Sequence, residues 1–190
     1  MPQPDHISAL PVPDPETLDE DLRDLFALCR EKLGIVPNVL PAYSLRPQKL
    51  RNFVAMYNEL MLAPSRLSKL KREMVAVVVS SVNRCYYCLV AHGQAVRRLS
   101  ADAELGEMLV MNYRIAPLDT RQRAMLDFAW KLTAAPATIG EDDRAALRRA
   151  GLGDEDIFDL TDIVPFFNMS NRMASGLDII PNREYHRWDR

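Results

Sequence analysis

The spacing of apolar residues along the chain is that of α-helices, and strand-like alternation of apolar and polar residues is rare. Glycine is scarce, with 7 in 190 residues. Proline, glycine and short polar segments divide the pattern into successive predicted helices. They cover residues 16–32, 39–45, 47–62, 68–82, 85–99, 101–111, 120–133, 141–150 and 154–177. The sequence therefore predicts an all-α protein.

Particular residues are expected to set the helix ends. Gly34 should end the first helix, and Asp119 should cap the helix that begins at residue 120. Asn83 should cap the helix that contains a closely spaced pair of cysteines. Pro165 is expected to kink or divide the last helix, because a proline inside a helix removes one backbone hydrogen bond.

The predicted helix at 68–82 is apolar without interruption from Met74 to Val79, so it should be buried on most sides. The β-branched residues in this run would also suit a strand, but no partner strands are visible elsewhere. The longest uncharged stretch in the middle of the chain, Met74–Asn83, is about half the length that a membrane span needs. We therefore expect no membrane segment.

Charge and cysteine content narrow the classes of function. The 24 basic and 26 acidic side chains nearly balance, so nothing favours nucleic acid or an anionic membrane as a partner. The proline-rich start, MPQPDHISALPVPDPE, lacks the basic and apolar regions of a secretory signal. Three cysteines are an odd and low number for an extracellular disulfide framework. We expect a cytoplasmic protein whose paired cysteines are catalytic or bind a metal.

The candidate chemistry lies in one segment, EMVAVVVSSVNRCYYCLVAH, which runs from Glu73 to His92. At about 100° per residue, Cys85, Cys88 and His92 fall on one face of a helix. Cys88 and His92 are four residues apart, so an imidazole nitrogen can reach the thiol and accept its proton. The product of that transfer is a thiolate, the reactive form of cysteine. Cys85 lies one turn earlier, close enough to form a disulfide after Cys88 is oxidised.

Glu73 lies on the preceding helix, where that helix becomes apolar. A carboxylate at the entrance of a buried helix is expected to orient His92 or a water, or to relay a proton between the thiols. The alternative is a surface acid paired with Lys69 or Arg72. Cys29 lies in an amphipathic helix and is expected to be an ordinary packed cysteine.

Zinc binding is the main alternative use of the same side chains. Cys85, Cys88 and His92 are suitable ligands, with Glu73 or water as a fourth. However, all three would lie on one short helix, whereas a closed zinc site usually draws its ligands from two separate segments. The remaining histidines lie near the termini and supply no second pair. We therefore predict no bound metal.

The spacing of Glu73, Cys85, Cys88 and His92 resembles that of the alkylhydroperoxidase D (AhpD) family, within the carboxymuconolactone decarboxylase superfamily. The chain as a whole is similar to the branch described as peroxidase-related proteins. The similarity extends to two flanking segments, Gly34–Pro37 and Asn168–Gly176.

This resemblance implies an AhpD-like helical core over residues 64–180. An N-terminal helical extension would cover residues 1–63 and a C-terminal tail residues 181–190. The resemblance also implies a homo-oligomer, either a trimer or a hexamer. It implies peroxide reduction through a cysteine disulfide, without haem, flavin or metal as cofactor.

By position, the resemblance makes Cys88 the peroxidatic thiol and Cys85 the resolving thiol. It makes His92 the base and Glu73 part of the proton relay. A hydroperoxide would be the substrate, and an external dithiol would reduce the disulfide. The helix dipole alone favours Cys85 as the thiol of lower pKa. We follow the histidine argument for Cys88, because a directly bonded base also takes the proton.

Tyr87 departs from the family pattern, since better-studied members carry a second histidine at this position. A phenol, with a pKa of about 10, donates a hydrogen bond but is a poor base at neutral pH.

Two other functions stay open. One is a non-redox decarboxylase or isomerase that acts on a small ring acid. The other is a non-enzymatic redox sensor whose disulfide changes oligomer contacts.

Overall fold

The computed structural model describes residues 3–190, and every regular element within that range is helical. The α-helices are α1 (Glu20–Leu33), α2 (Val39–Tyr43), α3 (Pro47–Tyr57), α4 (Lys69–Asn83), α5 (Tyr86–Ser100), α6 (Ala103–Asn112), α7 (Thr120–Ala134), α8 (Glu141–Arg149) and α9 (Asp154–Gly176). Short 3₁₀ turns lie at Pro15–Thr17, Tyr113–Ile115, Pro136–Thr138 and Arg183–His186, and a π-helical turn lies at Asn58–Leu62. The predicted all-α class is confirmed.

Helix α4 lies at the centre of the fold because its apolar run covers all of its sides. The side chains from Met74 to Val79 are completely buried. Helices α5, α6, α7 and α9 pack around α4. Burial against these helices, rather than pairing in a sheet, accommodates the β-branched valines of the run.

Two of the predicted helix ends are confirmed by their capping geometry. Gly34 has a φ of 77° and ends α1, and its N–H donates to the carbonyl of Arg30. Asp119 caps α7 by accepting from the backbone N–H of Gln122 at 2.6 Å. The Gln122 side chain accepts from the Asp119 N–H in return, which completes a capping box.

Three predicted features of the helices are wrong. Helix α1 begins at Glu20 rather than at residue 16, because the separate 3₁₀ turn Pro15–Thr17 precedes it. Pro165, whose side chain is exposed, does not divide the last helix, since α9 is continuous through it. Asn83 is the last residue of α4 and does not cap the helix that follows.

The two ends of the described chain meet beside the C-terminal end of α9. The N–H of Ala9 donates to the carbonyl of Leu177 at 2.8 Å, and the N–H of Ile180 donates to the carbonyl of Ile7 at 3.1 Å. Met1 and Pro2, which belong to the predicted extension at 1–63, lie outside the described residues. Among residues 3–190, no helix is both long enough and apolar enough to traverse a bilayer.

Candidate active site

The link between α4 and α5 places the two cysteines at the start of α5. Arg84 has a left-handed backbone, with a φ of 52°, and this conformation ends α4. The N–H of Cys85 then donates to the carbonyl of Ser80 at 3.0 Å. Cys85 is the N-cap residue of α5, and Cys88 lies in its first turn. The positive end of the helix dipole therefore acts on the cysteine pair even though Asn83 is not the cap.

Both thiols of this pair are buried, with Cys85 0% and Cys88 1% exposed. The residues that cover them come from the N-terminal segment, α2, α5 and the end of α9: Ile7, Val39, Ala42, Tyr87, Ala174, Leu177 and Ile179. We call this set the thiol cover. Cys29 packs against the main core, as predicted, and all three cysteines are free thiols.

Cys85 and Cys88 form one hydrogen-bonded thiol pair. The hydrogen bond from the Cys88 side chain lowers the pKa of Cys85 to about 7, and His92 adds a smaller lowering through its charge. The same hydrogen bond, together with burial, raises the pKa of Cys88 well above its usual range. The negative charge of the resting pair is therefore held by Cys85, the residue that the helix dipole also favours.

Polar side chains of α9 also influence the thiol pair. Hydrogen bonding from Asn171 and Ser170 lowers the pKa of Cys88. Hydrogen bonding from Ser175 lowers the pKa of Cys85. Both sulfurs thus have donors that stabilise an anion, although the thiol cover is mainly apolar.

The Asn171 carboxamide belongs to a polar network that joins α9 to α4. Its Nδ2 donates to Ser80 Oγ at 3.1 Å, and its Oδ1 accepts from Asn83 Nδ2 at 2.9 Å. Asn83 also donates to Asn168 Oδ1 at 3.1 Å. Asn83 thus holds α9 against the end of α4 instead of capping α5.

A carboxylate–imidazole pair lies beside the cysteines. The Glu73 Oε2 atom of α4 is 2.6 Å from the His92 Nδ1 atom of α5, and both side chains are mostly buried. An ionised carboxylate only accepts hydrogen bonds, so Nδ1 carries the hydrogen and Nε2 is free to accept a proton. The Phe167 ring packs edge-on against the imidazole, with centroids 4.7 Å apart. Glu73 and Phe167 therefore hold the imidazole ring of His92 in one orientation.

Glu73 is not the surface acid that the alternative interpretation described. Arg72 turns instead to the π-helical turn and donates to the carbonyls of Leu60 and Ala63, each at 3.0 Å. Among the described residues, the hydrogen bond of His92 is to Glu73, and none joins the imidazole directly to a cysteine sulfur.

Tyr87 supports the site structurally. Its hydroxyl accepts from the backbone N–H of Val39 at 3.2 Å, which ties α2 to α5. Burial raises the pKa of Tyr87 well above its usual value, so the phenol stays neutral. The residue that replaces the family's second histidine therefore holds part of the thiol cover in place and does not act as a base.

The donors on α9 were not predicted from the sequence. The available signal was the continuation of a buried helix face, formed by Ile163 and Phe167, into the polar residues Ser170 and Asn171. Within residues 3–190, no three His, Cys, Asp or Glu side chains lie close enough together to hold a metal ion. The zinc ligand set considered from the sequence is thus not assembled.

The sequence pattern of the carboxymuconolactone decarboxylase family matches residues 47–129, which include both cysteines, Glu73 and His92. A search of curated proteins gave no match.

Solved structures extend the similarity to the whole chain. A peroxidase-related protein from Silicibacter sp. TM1040 is 57% identical, with a TM-score of 0.95 and 100% of both chains covered. A peroxidase-related protein with an alkylhydroperoxidase AhpD core, from Ralstonia eutropha JMP134, is 40% identical, with a TM-score of 0.95 and 97% of each chain covered.

The debrominase Bmp8 is 17% identical, with a TM-score of 0.79 over 97% of this chain and 96% of its own, and shares the fold. The two closer similarities, which cover almost the entire length at high identity, establish the relationship. The chain belongs to the carboxymuconolactone decarboxylase family and has the AhpD-like helical fold of its peroxidase-related members.

Proposed function

We propose that this protein is a thiol oxidoreductase that reduces hydroperoxides through a disulfide between Cys85 and Cys88. The observation that carries the proposal is the hydrogen-bonded thiol pair at the start of α5, next to the Glu73–His92 pair. One thiol has a pKa of about 7, so a thiolate is present at neutral pH without any metal to stabilise it.

The two thiols supply the two electrons that reduce the hydroperoxide. The Cys88 thiolate attacks the outer oxygen of the hydroperoxide, the O–O bond breaks, and an alcohol leaves with one proton. Cys88 is then a sulfenic acid. The Cys85 sulfur attacks the Cys88 sulfur, the S–O bond breaks, and water leaves with a second proton. The hydroperoxide is reduced to alcohol and water, and the two thiols are oxidised to a disulfide.

Three proton transfers are needed, and the site has groups for each. The last one, from Cys85 to the departing water, accompanies formation of the disulfide. Before attack, the Cys88 proton moves along the existing hydrogen bond to Cys85, which transfers the negative charge to Cys88. The imidazole of His92, oriented by Glu73, carries the proton that the leaving oxygen requires. An external dithiol then attacks the disulfide and restores both thiols by exchange.

Substrate and reductant both require the thiol cover to part, because Cys85 and Cys88 are buried. A small hydroperoxide needs a narrower opening than a protein dithiol. We therefore propose that reduction of the disulfide, rather than its formation, requires the larger displacement of Ile7 and Val39.

We further propose that the chain works as a trimer or hexamer in the reducing environment of the cytoplasm. Large apolar side chains at the surface support assembly: Met111 is 82%, Phe158 71% and Ile115 65% exposed. Free thiols in a close pair are typical of a reducing compartment.

The direct test is mass spectrometry with thiol alkylation, before and after addition of one equivalent of hydroperoxide. We expect two alkylatable thiols to be lost, a Cys85–Cys88 disulfide to be mapped, and a dithiol to reverse the change. The Cys29→Ser variant is the matched control and should behave as the wild type. Wild-type protein whose thiols all remain alkylatable under these conditions would contradict the proposal.

The family's description supports a second candidate, a decarboxylase or isomerase that acts on a small ring acid without redox chemistry. In that case Glu73 and His92 would move protons on the substrate, and the thiols would be dispensable. Turnover of such an acid by the variant that carries both Cys85→Ser and Cys88→Ser would favour this candidate over the peroxidase.

A further inference from the structure

The Asn171 side chain is buried between α9 and α4 and is held there by hydrogen bonds. It is 1% exposed. The hydrogen bond from Asn83 Nδ2 at 2.9 Å fixes which end of the carboxamide is the oxygen. The Nδ2 group therefore points to Ser80, whose Oγ accepts one of its two hydrogens at 3.1 Å.

The neighbours of Asn171 place its carboxamide close to the thiol pair. Ala174, one turn after Asn171 on the same face of α9, packs in the cluster that contains Cys85 and Cys88. The carbonyl of Ser80, the residue that anchors the carboxamide, accepts from the N–H of Cys85 at 3.0 Å. Hydrogen bonding from Asn171 lowers the pKa of Cys88, which agrees with this placement.

We propose that Asn171 is the hydrogen-bond donor that stabilises the Cys88 thiolate and so sets how the negative charge divides between the two sulfurs. The proposal deepens the peroxidase function and rests on it for its effect on turnover. The Cys88 proton moves to Cys85, no bond other than S–H changes, and the new anion on Cys88 accepts from the Asn171 amide. Without this donor, the charge stays on Cys85 and attack by Cys88 is suppressed.

Two phenols face Cys88, and neither of them ionises near neutral pH. Tyr43 of α2 has a pKa raised to about 12 by burial, and burial raises the pKa of Tyr87 as well. Both phenols therefore stay neutral. The Glu73–His92 pair also lies next to the thiol pair, and it is common to all the variants described below.

The test isolates Cys88 by using the Cys85→Ser variant as the background, with Cys29→Ser in every protein so that no other thiol contributes. Asn171→Asp keeps the oxygen that accepts from Asn83 but removes both donors, and Asn171→Ala removes the donors without adding charge. Asn168→Asp is the matched control, because Asn168 also accepts from Asn83 and lies on α9, but its own amide donates to Thr133 Oγ1 and the Val164 carbonyl. Circular dichroism establishes that each variant is folded.

The first measurement is the pH titration of the Cys88 thiolate by its ultraviolet absorbance, which requires no access to the buried sulfur. We expect both Asn171 variants to titrate at higher pH than the Cys85→Ser background and the Asn168→Asp control. If the thiolate of both Asn171 variants titrates at the same pH as that of the control, the proposal is overturned. If Asn171→Asp does not fold, Asn171→Ala decides the result, and an unfolded Asn171→Ala protein beside a folded control would overturn the proposal in favour of a structural role.

The second measurement is the rate of oxidation by hydroperoxide with both cysteines present. We expect Asn171→Ala to lower the second-order rate constant roughly tenfold, as the loss of a hydrogen bond to a charged group predicts. The two proposals fail separately. A shifted titration in a protein that hydroperoxide does not oxidise refutes the peroxidase function alone, and normal disulfide formation with an unshifted titration refutes the role of Asn171 alone.

Discussion

The Oε2 atom of Glu73 lies 2.6 Å from the Nδ1 atom of His92, although the two residues are 19 positions apart and belong to different helices. The contact depends on the packing of α4 against α5, the helix that also carries Cys88. It fixes the tautomer of the imidazole and leaves Nε2 as the acceptor. The proton-transfer group of the proposed reaction is therefore set before any substrate arrives.

Replacement of Glu73 by Gln should impair proton transfer while the shape of the site is kept. A neutral amide does not stabilise a protonated imidazole, so we expect kcat/KM for hydroperoxide to fall roughly a hundredfold. Steady-state peroxide consumption at neutral pH measures this effect.

The matched control for that variant is Glu104→Gln, because Glu104 is exposed in the first turn of α6. It should retain the wild-type rate. A Glu73→Gln enzyme as active as this control would show that the carboxylate has no part in catalysis.

The thiolate of Cys85 should titrate with a midpoint at about pH 7 in the wild-type protein, because the hydrogen bond from Cys88 lowers its pKa to about 7. Cys88→Ala removes the donor and should move the midpoint upwards. Ultraviolet absorbance of the thiolate as a function of pH measures both proteins, with Cys29→Ser in each to remove the third thiol. Equal midpoints in the two proteins would mean that the thiols are not coupled.

Ionisation of Cys85 should make the folded protein more stable as the pH rises from about 7 to about 9. The pKa of Cys85 is lowered from 9.0 to about 7 on folding, so the unfolded chain binds more protons in this window. The stabilisation that ionised Cys85 gives to the folded protein is complete above the pKa of the unfolded chain. It is lost as the pH falls through the pKa of the folded protein. Urea unfolding under reducing conditions should give a larger difference between wild type and Cys85→Ser at the upper end of the window than at the lower end.

Tyr87→Phe should reduce stability without removing a proton-transfer group. The substitution leaves the N–H of Val39 without its acceptor, so we expect the free energy of unfolding to fall by about 1 to 3 kcal/mol. Chemical denaturation measures the loss, and the pH profile of peroxide reduction should keep its shape. The control is Tyr86→Phe, since Tyr86 is an exposed neighbour whose hydroxyl hydrogen-bonds Gln3 and His186 at the surface. A changed pH profile in Tyr87→Phe alone would assign the phenol to the relay.

Gly106→Ala should destabilise the contact between α5 and α6. A Cβ atom at Gly106 would lie 2.6 Å from Arg97 Cγ and 3.2 Å from the Gly93 carbonyl oxygen. Arg97 cannot move freely, because its guanidinium donates to the carbonyl of Tyr185 at 2.8 Å. We expect a loss of about 1 to 3 kcal/mol in the free energy of unfolding.

The matched substitution for Gly106→Ala is Gly176→Ala, where an added Cβ would meet nothing within 4 Å. It should leave the melting temperature nearly unchanged. Equal melting temperatures for the two variants would show that the α5–α6 contact relaxes without cost.

The sequence by itself determined the features that depend on local periodicity. The apolar spacing predicted the helices, the Met74–Val79 run predicted the buried centre, and the i, i+3 and i+4 spacings placed Cys85, Cys88 and His92 on one helix. These features are predictable because a helix relates residues a few positions apart in a fixed way.

The tertiary structure decided the features that depend on contacts between helices. It paired Glu73 with His92 rather than with a neighbour on α4, and it joined Asn171 of α9 to Ser80 of α4. It also placed the resting charge on Cys85, because the pKa of a buried thiol depends on the donors and the burial that the surrounding helices create. Such contacts join residues far apart in sequence, and only the packing of α4, α5 and α9 defines them.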